Sequence, residues 1–132
     1  RVADAMGADA VVLAGHSVDP YNGKCLRASA GSIFSVPVVS EPDAPRAVAA
    51  LVDAGLQVLA TTVDGEVSLD EADLSGPTAW LFGPEAHGLP AELAKTATRR
   101  VQIPMPGSAE SLNVASAAAI CLYQSARAHR FA

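Results

Sequence analysis

The stretch that most constrains this chain is residues 103–120, Ile-Pro-Met-Pro-Gly-Ser-Ala-Glu-Ser-Leu-Asn-Val-Ala-Ser-Ala-Ala-Ala-Ile. An apolar strand end, residues 101–103, runs through a loop carrying Pro104, Pro106 and Gly107 and then into a helix. Proline fixes φ and glycine frees it, so such a loop holds one non-repetitive backbone path. Ser108, Ser111 and Asn113 crowd the helix start, where unpaired backbone N–H groups take side-chain acceptors or a ligand. The ordinary role of such residues is capping. What points further is the alanine run behind the loop, Ala115 and 117–119, because methyl side chains let another backbone come very close. A bulky core would not require that.

The other segments alternate in kind. Residues 1–7 read as the last turns of a helix ending at Gly7, a helix without a start, which suggests a missing N-terminal portion. Residues 10–14 form a short apolar run closed by Gly15, as in a buried parallel strand. Residues 16–34 are polar and glycine-rich, a loop around a short helical segment, and 35–39 read as a strand. A capped amphipathic helix follows from Asp43 or Ala44 through Ala54, with Val48, Leu51 and Val52 on one side. Residues 56–61 and 78–82 read as strands, 64–73 as a solvated acidic loop, and 90–96 as a helix with Pro90 at its first position. The last strand is 99–103 and the last helix runs from Ser111 to about His129.

Strands alternating with helices predict an α/β fold: a largely parallel sheet with helices on both faces. Ligands in such sheets bind beyond the carboxyl ends of the strands. The loops at 83–88 and 104–107 both leave strands at that edge, so they should lie side by side.

At 132 residues, half of them hydrophobic, the chain suits one domain with a real core. Cys25 and Cys121 make no metal-ligand pattern and read as small buried thiols. No apolar run reaches the roughly 20 residues of a membrane span, so a soluble, cytoplasmic protein is expected, with no membrane partner and no metal. The formal charge of -5 argues against nucleic acid taken alone. Five of the 14 acidic residues, however, sit in the 64–73 segment, and without them 9 acidic face 9 basic residues. Lys24, Arg27, Arg99 and Arg100 are then free to form local basic patches, although a self-sufficient RNA binder would carry a stronger basic face.

Two stretches resemble one family. Ile103-Pro-Met-Pro-Gly with Ser111-Leu-Asn-Val is similar to the third motif of the SpoU-type (TrmH-like) RNA ribose 2′-O-methyltransferases of the SPOUT superfamily. Leu81-Phe-Gly-Pro-Glu-Ala-His-Gly-Leu89 is similar to their second, and the resemblance covers essentially the whole chain. It implies a C-terminal trefoil knot, S-adenosylmethionine as cofactor, an RNA substrate (ribosomal ahead of transfer RNA) and a homodimer using the last helix. Residues 1–132 would be the catalytic domain, lacking the start of the first motif.

Methyl transfer to a ribose hydroxyl requires a donor held with its methyl exposed, a hydroxyl aligned to it, and an exit for a proton. By resemblance Thr61, Leu81, Gly83, Gly88, Ile103, Met105 and Leu112 bind the cofactor. Arg1 falls on the arginine of the first motif and is implied to act on the target ribose and phosphate. A guanidinium stays protonated, which favours an electrostatic clamp over a base. Glu85, Ser111 and Asn113 complete the expected catalytic set, Glu85 orienting and the other two positioning by hydrogen bonds. His87 is not demanded by the motif. Lys24, Arg27, Ser29 and Ser32 match the substrate-facing loop of the family and are expected to contact RNA, with Tyr21 able to stack on a base. The alternative is a non-catalytic RNA-binding or dimerising module that keeps the fold. A plain doubly wound nucleotide-binding domain fits less well, since no Gly-x-Gly-x-x-Gly turn follows the first strand.

Overall fold

The apolar run Val58, Leu59, Ala60 is the centre of the molecule, and these three residues are at most 1% exposed. A strand buried on both faces loses the polar alternation of a half-exposed one. In the computed structural model, which describes residues 1–15, 31–32, 35–83 and 88–131, this run lies in β3 (Gln57–Thr61). On one side β3 pairs with β5 (Thr78–Leu81), on the other with β6 (Arg99–Gln102). Beyond β6 comes the short β4 (Val67–Ser68), so the order is β4-β6-β3-β5 with every pair parallel. A second parallel pair joins β1 (Val11–Ala14) to β2 (Val38–Glu41).

Helices cover both faces of the four-stranded sheet, as the alternation of strands and helices predicts. On one face Val58 and Ala60 pack with Val48 and Leu51 of α2 (Ala44–Asp53) and with Leu93 and Ala94 of α3 (Ala91–Ala94). On the other, Leu59, Val101, Trp80 and Phe82 pack with Cys121 and Ala128 of α4 (Val114–Arg130). Consecutive strand residues therefore serve opposite cores, the period of two inherent in a pleated chain. Trp80 Nε1 donates to Ser125 Oγ at 2.8 Å, tying β5 to α4. The four-residue α1 (Val2–Ala5) lies against α4.

Several boundaries differ from the sequence reading. The acidic segment is not simply a loop. It contains β4, and Leu69 within it and Leu74 just after it are buried in the α4-side core while its acids stay exposed. Apolar residues two and seven positions beyond Val67 outweigh the acidic composition, because only they can be buried. Gly65 makes the arrangement possible: a Cβ there would stand 2.5 Å from Gln102 N and Val101 C, so the turn presses directly on the β6 backbone. In α2, Asp43 caps as expected, its Oδ1 accepting the Arg46 N–H at 3.2 Å. Val52, however, is 42% exposed, and Ala47 is buried beside Val48 in its place. Pro90 precedes α3 as its cap position, and the second strand is displaced to Val38–Glu41.

Candidate functional site

Because β3 lies between β5 and β6, the loops that leave those two strands emerge on either side of its carboxyl end. They enclose a cleft of about 580 Å³, within the range that holds a drug-sized ligand. Thr61, Thr62 and Val63 contribute from the end of β3, Phe82 and Gly83 from the end of β5, and Ile103 and Met105 from the end of β6. Leu112, Val114 and Ala117 close it from the start of α4, and Ala91 and Ala94 from α3. The small side chains of Ala94 and Ala117 are what leave room between the two helices and the sheet edge.

The loop after β5 folds back on itself at the cleft wall. A Cβ on Gly83 would stand 2.4 Å from Gly88 C and Leu89 N, so no other residue fits without moving backbone. Gly88 turns with φ +62°, in the left-handed region that glycine adopts without strain. Thr61 Oγ1 reaches the Leu81 carbonyl at 3.4 Å, holding the β3 and β5 ends together. Thr62 Oγ1 is closed off from solvent and has no hydrogen-bond partner among the described residues, a costly state for a hydroxyl.

Among the described residues, the charged side chains that line the cleft are Asp64, Lys95 and Arg100, the first two of them exposed at its rim. Glu66 Oε1 holds Arg100 twice, by Nη2 at 2.6 Å and by the backbone N–H at 3.2 Å. Both side chains are a third or more exposed, so the pair contributes orientation more than its ~0–1 kcal/mol of stability. Cys121 lies beneath, fully buried, and desolvation pushes its thiol up to about 12.

Six of the seven residues expected to bind cofactor meet here: Thr61, Gly83, Gly88, Ile103, Met105 and Leu112, with Ser111 beside them. Leu81 does not line the cleft; its side chain packs into the core with Val58 and Ala60, and its carbonyl serves Thr61. Asn113 is the N-cap of α4, its Oδ1 accepting the Ser116 N–H at 2.8 Å, and it stands outside the cleft lining. Arg1 is exposed at the start of α1 and likewise outside the lining. Ser32 lies in a turn, its carbonyl accepting from the Ser35 and Val36 N–H groups. Glu85, Lys24, Arg27, Ser29 and Cys25 lie outside the described residues. The rim residues Asp64, Lys95 and Arg100 were missed as site residues. No local pattern marks them: Arg100 reaches the cleft because strand pairing sets it in register with Ala60, next to the end of β3.

The arrangement suits a ligand with a flat apolar body and a charged end: tight backbone turns and apolar walls within, both signs of charge outside. Residues 1–123 match the family described as SpoU rRNA Methylase. The chain is 41% identical to the 23S rRNA (guanosine(2553)-2′-O)-methyltransferase RlmP of Bacillus subtilis, over 93% of this chain and 49% of that protein. It is 38% identical to the 23S rRNA (uridine(2479)-2′-O)-methyltransferase of Streptomyces viridochromogenes, over 96% of this chain and 46% of that protein. Among solved structures it superposes on an AdoMet-bound rRNA methyltransferase from Sinorhizobium meliloti with a TM-score of 0.90 at 38% identity, covering 96% of this chain and 49% of that one. The chain thus spans about half the length of the relatives it matches.

Proposed function

The chain belongs to the SpoU rRNA methylase family, and from that premise we propose that its cleft holds S-adenosylmethionine for methyl transfer to a ribose 2′-hydroxyl of RNA, ribosomal RNA ahead of transfer RNA. The observation that carries this is the meeting of the two loops, after β5 and after β6, around an open cleft beyond the strand ends. Relatives named for ribosomal RNA 2′-O-methylation, and an AdoMet-bound neighbour of the same fold, support it.

The residues present fit the donor. At Gly83 the Gly88–Leu89 backbone packs where a side chain would stand, which makes the cleft wall of bare backbone, and Thr62 on the same cleft has a hydroxyl without a partner among the described residues. Thr61, Gly83, Gly88, Ile103, Met105 and Leu112 would hold the cofactor, Leu81 acting through its carbonyl. When bound, it supplies an electrophilic methyl on a sulfonium. Ser111, which lines the cleft beside Leu112, would hydrogen-bond the incoming ribose. Asn113, anchored by its oxygen to the helix start, keeps its amide N–H groups for the same task. Arg1 and Glu85 complete the set in our reading, Arg1 as a fixed positive charge that makes the hydroxyl easier to ionise, Glu85 as an orienting carboxylate. As the methyl–oxygen bond forms, the hydroxyl proton must leave, and an RNA phosphate is a suitable acceptor.

Lys24, Arg27, Ser29 and Ser32 are proposed to contact the RNA. A homodimer through α4 belongs to the same reading. Ile120 and Tyr123 on that helix and Phe131 at its C-cap are exposed, 37%, 45% and 78% respectively, and its first turn lines the cleft. The trefoil knot is likewise proposed, on the strength of the fold shared with solved relatives.

Titration with S-adenosylmethionine, followed by transfer of labelled methyl to ribosomal RNA and mapping of ribose 2′-O-methylation, tests the proposal. Saturable binding and 2′-O-methyl product are expected. Binding without transfer to any RNA would leave a non-catalytic module, and absence of binding would remove the proposal altogether.

A further inference from the structure

The rim of the cleft carries charges that neither the apolar walls nor the proposed catalytic residues account for. Lys95 follows directly on Ala91 and Ala94, which also line the cleft, and it has no ion-pair partner among the described residues. Arg100 is held at the same opening by Glu66, which uses one guanidinium nitrogen and the backbone N–H and leaves the remaining donors of the fork free. Gly65 fixes Glu66 for this purpose, since the turn it belongs to lies against the backbone of β6. Asp64, at the other side of the same turn, is the one anion among the described residues that line the cleft. Two cations and one anion around the mouth of an apolar slot are the complement of an α-amino acid group attached to an apolar body.

We propose that Lys95 and Arg100 form the carboxylate-recognising end of the cleft, with Asp64 facing the α-ammonium, so that the amino-acid tail of the donor is read by side-chain charge while its adenosine is read by backbone and apolar walls. This rests on the cofactor reading above. The donor's sulfonium and ammonium are both positive, and its carboxylate is the single group on it that a cation attracts. Charge-assisted hydrogen bonds to that carboxylate are shorter and stronger than neutral ones, and they give the site a preference for ligands that keep the tail.

Calorimetric titration with S-adenosylhomocysteine and with 5′-methylthioadenosine, which lacks the amino-acid tail, tests this on the full chain. Wild type should bind S-adenosylhomocysteine at least about tenfold more tightly, the scale of a lost charged contact. Lys95→Met, an exposed position where the fold is safe, should weaken S-adenosylhomocysteine about tenfold and leave 5′-methylthioadenosine within about twofold. Lys95→Met with Arg100→Met should erase the preference. If wild type binds both ligands equally, or Lys95→Met weakens both alike, or it changes only the KM for RNA, the assignment is overturned while the cofactor reading stands. If wild type binds neither, the cofactor reading falls and this inference with it.

Discussion

Asn113 has one carboxamide for two tasks. Its oxygen is committed to the Ser116 N–H at the start of α4, and among the described residues nothing accepts from its nitrogen. The two tasks separate by substitution. Asn113→Ala should cost about 1 kcal/mol of stability through the lost cap and abolish methyl transfer. Asn113→Asp, an equally good cap, should hold the denaturation midpoint near wild type and still lose transfer, because it removes the donor. Retained activity in Asn113→Asp would reduce Asn113 to a cap. Cys121 gives a second residue-scale prediction. Its thiol is raised from an ordinary 9.0 to about 12 in the folded chain. Below about pH 9 both folded and unfolded chains keep the proton; between about 9 and 12 the unfolded chain loses it first. Stability therefore falls as pH rises through that window. Denaturation midpoints measured across it in a Cys25→Ser background should fall, less steeply once Cys121→Ala is added, and the native thiol should resist alkylation until the chain unfolds.

At the scale of elements, β4 was the segment least legible in the sequence. Its run of acids reads as a solvated loop, and the acids are indeed exposed. What composition concealed is that Leu69 and Leu74, 5% exposed each, anchor the segment beneath β6. Two buried leucines outweigh five solvated carboxylates, since an exposed charge costs nothing to leave in water and an exposed leucine does. Gly65→Ala should therefore cost about 1–3 kcal/mol by forcing β4 away from β6, measured by chemical denaturation. It should also release Glu66 from Arg100 and so weaken S-adenosylhomocysteine. A substitution tolerated without loss would mean that the contact between the turn and β6 is slack. The last helix, by contrast, was legible almost to its ends. Its stripe of small residues and its cap are local features, and only its true start, Val114 rather than Ser111, depended on which side chain took the cap.

At the scale of the whole molecule, the strand order brings together residues that lie far apart in the sequence. Thr61, Gly83 and Met105 share one cleft because β3 is flanked by β5 and β6. The same helix that closes the cleft presents Tyr123 to solvent, with Arg130 over its ring at 5.9 Å. Sedimentation should show a dimer for the wild-type chain, and Tyr123→Glu should shift it toward monomer by placing a charge in an apolar contact. An unchanged sedimentation coefficient would move the interface elsewhere.

The sequence by itself determined the class of fold, because strand period, glycine turns and helix caps are written in neighbouring residues, and through its motifs it named six residues that line the cleft. It also carried the family resemblance, since both motifs are continuous in the chain. Only the tertiary structure decided that Leu81 belongs to the core, that Asn113 spends its oxygen on a cap, and that Asp64, Lys95 and Arg100 share one rim. Those outcomes depend on which strands lie side by side and on how much room is left between them. Pairing across a sheet and competition for buried space are properties of distant residues acting together, and no local pattern records them.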